Sequence, residues 1–213
     1  PDYYSAYINI SDYPSEKTEQ LLAKKGFKYS QTDLDYLAQL NKFGFKIINE
    51  EGMYYIKIGS TRFFEQKFKP QLSENTFNYF IKLIEAESNP NAYDGAIVKD
   101  LNSIADDLIW WEKFLNNNTL SYYQENGKHY YNILLLTLLE GHDNSPAFDY
   151  SSKKLSKKFS KCYEYIIKKY DGTKSADIFK KYVKLLKKSN NKKTKQIEEF
   201  IGQFQEWKKM SDK

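Results

Sequence analysis

His129 and His142 are the only imidazoles in this 213-residue chain, so any histidine-based metal or general-base chemistry must use one of them. His142 has carboxylates close in sequence: Glu140, Asp143 and Asp149. No His-x-x-x-His or Glu-x-x-His pair, the spacing that sets two ligands on one helix face, accompanies them. Segment 142–149 is the best candidate for a site carried on a loop, and a hydrolase using His142, Asp143 and Asp149 is one reading of it. The competing reading is architectural. Gly141 ends a helix, Asp143 and Asn144 form a turn, Pro146 stiffens it and Phe148 reaches the core.

A second group of acids, Asp106, Asp107 and Glu112, flanks Trp110 and Trp111. Paired carboxylates beside tryptophans are the furniture of sugar-cleaving sites. On a helix, adjacent residues point about 100° apart, so Asp106 and Asp107 cannot both face one substrate. Spacing places Trp111 with Leu108 and Leu115, and Trp110 with Asp106 and Phe114. At most one tryptophan is then fully in the core, leaving the other as a contact residue. Cys162, the single cysteine, falls at a core-facing position and reads as a small hydrophobe rather than a nucleophile. One cysteine also excludes an internal disulfide and any multi-cysteine zinc site. The chain has no Gly-x-Ser-x-Gly, no Gly-x-x-x-x-Gly-Lys and no Gly-x-Gly-x-x-Gly, and its 9 glycines are spread singly. Backbone cradling of a nucleotide therefore has no support. No cofactor and no metal is expected.

The elements that must position these residues are mainly helical. Helices are expected from Ser15 to Gly26, from Thr32 to near Gly44, and from Ser73 through Ile84. A longer one carries Ile97, Leu101, Ile104, Leu108, Trp111 and Leu115 and ends at 116–118. Another runs over 128–139, apolar almost all round, and Gly141 stops it. Three more follow, through Leu155 to Ile167, Ser175 or Thr173 to Leu186, and Ile197 to Trp207. Period-two alternation at Phe45, Ile47, Tyr54, Ile56 and Ile58 predicts one β-hairpin near 43–60, with a four-residue turn at 49–52. Phe63, Phe64 and Phe68 extend a third strand or start a helix. The expected fold is mainly α, about seven helices packed as antiparallel, solenoid-like hairpins with one small β-hairpin. It divides into an α+β region at 1–72 and a helical region at 73–213, packed as one domain.

Trp111-Glu112-Lys113-Phe114-Leu115 lies over Tyr163-Glu164-Tyr165-Ile166-Ile167 at an offset of 52 residues. The second copy continues through Tyr170, Ser175 and Ala176. Over about 162–186 it resembles the helix–turn–helix units of tetratricopeptide-like repeat proteins of bacterial envelopes. The resemblance implies a helical binding scaffold. The first copy departs from it, because 116–127 reads as too long a break for a standard unit.

The charge is uneven. The chain carries +5 overall, made of −7 over residues 1–150 and +12 over 151–213. Of 33 basic residues only Arg62 is arginine. Lysine-only binding to nucleic acid would be non-specific and salt-dependent, since base readout favours the planar guanidinium. The longest apolar run, 133–139, is far shorter than the about 20 residues of a membrane span. The chain begins at Pro1, so an export signal removed from a periplasmic or envelope protein is one expectation. The leading expectation is a non-enzymatic binding or scaffolding protein that contacts another protein through aromatic surface, Trp110 and Trp111 among it, and the 142–149 loop. The alternative is electrostatic binding of nucleic acid or anionic membrane through the lysine-rich half.

Overall fold

A computed structural model describes residues 30–50, 53–58 and 60–205. The expected helix at Ser15–Gly26, Gly52 of the hairpin turn and Trp207 lie outside the described residues. The fold is mainly α, with eight helices and three short antiparallel two-stranded ladders among the described residues. The chain forms two compact units, Pro1–Pro90 and Asn91–Lys213.

In the first unit, Ser30 opens helix α1 (Gln31–Lys42) with a reciprocal capping box to Asp33. Strands β1 (Phe45–Glu50) and β2 (Met53–Ile58) pair in register from Phe45 opposite Ile58 to Glu50 opposite Met53. The connection is thus two residues, not the four expected, because pairing consumes Asn49 and Glu50. Phe63, Phe64 and Phe68 belong to a helix, α2 (Arg62–Phe68), rather than a strand. Helix α3 (Glu74–Ser88), capped by Ser73, contacts β2. Phe64 is fully buried and meets the rings of Phe68, Phe77 and Phe80 at 5.0–6.1 Å.

The second unit opens on β3 (Ala92–Tyr93) and β4 (Ala96–Ile97), joined by Asp94 and Gly95, both at positive φ. Ile97 is therefore a strand residue and not part of the next helix, as spacing had suggested. Asp-Gly is the dipeptide that a two-residue hairpin turn demands. Helix α4 (Leu101–Asn117) follows, with the Asp100 carboxylate accepting from the Asn102 and Ser103 amides. Helix α5 (Ser121–Glu140) starts seven residues earlier than its apolar run predicts. The break after α4 is therefore 118–120, not 116–127. A Cβ at Gly127 would sit 2.7 Å from Leu115 Cδ2, so α4 and α5 pack closely there, and Gln124 Nε2 donates to the Leu115 and Asn118 carbonyls where the sequence looks polar.

Gly141 ends α5 at φ +77°. Its Cβ would lie 2.3 Å from the Ser145 carbonyl oxygen, so only glycine fits. Strands β5 (Gly141–His142) and β6 (Ser145–Pro146) turn at Asp143 and Asn144, as expected. Leu155 bridges to Phe148 in extended backbone, outside the helix that its spacing suggested. Helix α6 (Lys157–Lys169) begins at the Ser156 cap, α7 (Lys174–Lys188) at the Thr173 cap, and α8 (Lys195–Gly202) closes the unit. Helices α6 and α7 form an antiparallel hairpin against α4, and α8 touches α7 and α5. The core of this unit is Leu101, Ile104, Leu108, Trp111, Leu135, Leu138, Tyr163, Phe179, Tyr182, Ile197 and Ile201. No helix among the described residues is long and apolar enough to cross a membrane.

Candidate functional site

The β5–β6 hairpin and its flanks bring together four of the residues named from sequence. Glu140, His142, Asp143 and Asp149 line one cleft of about 360 Å³ with Tyr150 and Lys193. Asn144 Nδ2 donates to the Asp94 carbonyl at 2.6 Å, and the Asn144 amide to that of Gly95 at 2.8 Å. Ser145 Oγ accepts from the Ile97 amide at 3.0 Å. The β3–β4 and β5–β6 turns are thereby tied side by side. Tyr150 Oη donates to the Asp143 carbonyl at 2.8 Å, yet its side chain stays 63% exposed. Asp149 accepts from the amide and hydroxyl of Ser152, each at 2.7 Å. These bonds hold its carboxyl below the usual range. His142 Nε2 lies 3.2 Å from Thr137 Oγ1. His129 is exposed on α5 beside Tyr130 and does not line the cleft. No group of three or more His, Cys, Asp or Glu able to hold a metal occurs among the described residues.

The acids around the tryptophans do something other than the chemistry their types suggest. Asp107 pairs with Lys99 at 2.6 Å. Asp106 accepts from Tyr165 Oη at 2.6 Å, Tyr170 Oη at 2.5 Å and Lys169 Nζ at 3.2 Å. Burial alone would raise its pKa, but the two tyrosine bonds and the lysine outweigh that and lower it. Lys169 donates to Tyr165 Oη and lies 4.9 and 5.0 Å from the Tyr165 and Tyr170 ring centres. Its pKa rises, first through Tyr165 and then Tyr170. Burial, with the bond to Asp106, pushes the Tyr170 phenol up to about 12.

Glu112 is buried. It accepts from the Lys174 amide at 2.7 Å, the Ser175 amide at 2.8 Å and Ser175 Oγ at 2.5 Å. The carboxylate of α4 thus caps the first turn of α7, where orphan N–H groups and the helix dipole both favour an anion. Ser175 Oγ lies 3.0 Å from Tyr131 Oη. Burial pushes the Tyr131 phenol up to about 12, against the Ser175 bond, with the Glu112 charge adding to the rise. Nothing in the local sequence signals this role, because Glu112 and its partners lie 62 and 63 residues apart. The one available clue is a helix start at Thr173 with more donors than its own cap can satisfy.

Trp111 is the core tryptophan, stacked on Tyr130 at 5.1 Å. Trp110 is half-buried and stacks on Phe114 at 5.0 Å. Cys162 is buried, its Sγ donating to the Leu101 carbonyl at 3.4 Å. Burial pushes its thiol up to about 12, with Asp100 and Asp106 adding to it, so no reactive thiolate forms at neutral pH. Comparison with family models, curated proteins and solved structures finds no match.

Proposed function

We propose that the second unit is a non-enzymatic binding scaffold whose contact face is the paired-turn rim around His142. The observation that carries this reading is Tyr150, an amphipathic ring 63% exposed beside the cleft that His142, Asp143 and Asp149 line. Tyrosine supplies large contact area at low entropic cost and is enriched in interfaces. Tyr93, on β3 of the neighbouring tied turn, is exposed as well. Of the acids near the tryptophans, Asp106 and Glu112 are instead engaged in joining α4 to α6 and α7, and Asp107 in pairing with Lys99.

The helical-repeat resemblance supports the same reading. Helices α4–α5 and α6–α7 are both antiparallel hairpins. At the 52-residue offset, buried Trp111 and Phe114 correspond to buried Tyr163 and Ile166. The test is partner capture from the source organism with the tagged chain. Tyr150→Asp should abolish capture of the retained protein, and Tyr122→Asp, on the exposed face of α5, should leave it intact. Capture that survives Tyr150→Asp would sink the assignment of this rim.

A further inference from the structure

Lysine is the dominant exposed residue of α6 and α7, and its placement is regular. On α6, Lys157, Lys161 and Lys168 are exposed, opposite the buried Phe159, Cys162, Tyr163 and Ile166. On α7, Lys181, Lys184 and Lys188 are exposed, opposite the buried Ala176, Phe179, Tyr182 and Leu186. None of these six takes part in a salt bridge among the described residues. Of the lysines in 153–195, among the described residues only Lys169 and Lys193 reach carboxylates on the acidic part of the chain, at Asp106 and Glu140. Lys180 and Lys195 pair locally. The acids on the outward positions are Glu164, exposed, and Asp177, already held by Lys180.

Like charges on one helix face repel, so a face of unneutralised lysines costs stability unless something anionic meets it. We infer that the outward faces of α6 and α7 form a docking surface for an anionic lipid bilayer. Charge and side-chain chemistry choose this partner. At about 1.5 Å per residue the two helices are each about 20 Å long and lie side by side, so their ammonium groups spread in two dimensions, as headgroups do. Each lysine near an anionic leaflet adds to the attraction. None of the exposed large apolar side chains lies beyond Tyr150 among the described residues, so the contact is electrostatic and peripheral, without insertion. A nucleic acid is matched less well. No arginine lies in this half of the chain, and the half-buried Tyr165 and Tyr170, whose hydroxyls are bonded to Asp106, offer no free stacking platform.

The test is co-sedimentation of the full chain with vesicles of phosphatidylcholine alone or with about 30% phosphatidylglycerol, at about 0.05 and 0.3 M NaCl. Binding is expected only to the anionic vesicles, weakening at least about tenfold at the higher salt. Lys181→Glu/Lys184→Glu/Lys188→Glu should weaken it at least about tenfold, and the arginine triple variant should retain it. Should the α7 variant lose its helical circular dichroism, Lys157→Glu/Lys161→Glu/Lys168→Glu on α6 serves the same purpose. Lys42→Glu/Lys67→Glu in the first unit should change nothing. Equal binding to neutral vesicles, no binding at low salt, or binding unchanged in the glutamate variants would overturn the inference. Tighter binding to duplex DNA than to vesicles at equal phosphate concentration would assign the face to nucleic acid instead.

Discussion

Asp106 and Glu112 sit six residues apart on one helix and illustrate how setting decides what a carboxylate does. Asp106 is about half exposed and takes two phenols and an ammonium; Glu112 is buried and takes a helix terminus. Because the native pKa of Asp106 is lowered, its contribution is fully present above the unfolded carboxylate value of about 3.9. It is lost as pH falls through the native value. Asp106→Asn should therefore lower stability by about 1 kcal/mol at neutral pH, a figure kept small by solvent screening. In acid-dependent urea unfolding the gap between wild type and variant should close below about pH 4. A gap that is constant with pH would show that the charge is irrelevant. The sequence shows that Asp106 and Asp107 point apart on α4, and the structure has them do so. It does not show their partners, because Tyr165 and Tyr170 arrive from about 60 residues away.

At the scale of elements, legibility followed locality. The β1–β2 hairpin was readable from period-two alternation, and the Gly141 stop and Asp143-Asn144 turn from single-residue preferences. The β3–β4 hairpin is masked in the sequence although Asp94-Gly95 announces it, because Ile97 also fits the helical spacing of α4. The start of α5 is obscured for a different reason. Residues 121–126 carry no aliphatic side chain, and contacts with α4 and the turn after it hold them in place: Tyr123 is buried against Phe114, and Gln124 donates to the Leu115 and Asn118 carbonyls. The residues of the 142–149 cleft can be grouped from sequence because they are adjacent in it; the Glu112 cap cannot, because nothing adjacent makes it. Helix α7 depends on that foreign cap. Glu112→Ala should destabilise the chain by about 3 kcal/mol, leaving the Lys174 and Ser175 amides and the Ser175 hydroxyl without their acceptor. Urea unfolding followed by circular dichroism measures it, and a loss below about 0.5 kcal/mol would mean that the carboxylate adds nothing to α7.

For the whole molecule, the formal charge of +5 describes no part of it. The basic and acidic groups are segregated along the chain, and among the described residues few ion pairs bridge the two sets. At pH near 8.9, the sequence pI, the net charge vanishes but its segregation along the chain does not. The chain should still be retained on a cation exchanger at that pH and elute only with added salt. Elution in the void volume would show that the positive face is neutralised in solution.

The two acids of α4 also order events in time. Hairpins α4–α5 and α6–α7 each close over short sequence distances, which is fast. The bonds that join them span 59 to 64 residues. A chain leaving the ribosome presents Glu112 in water long before Ser175 exists to meet it, and at about 5–20 residues per second the wait lasts about 3–12 s. The first hairpin must tolerate a charge that the finished protein buries. Glu112 is thus a latch that closes only once the chain has been made through Ser175.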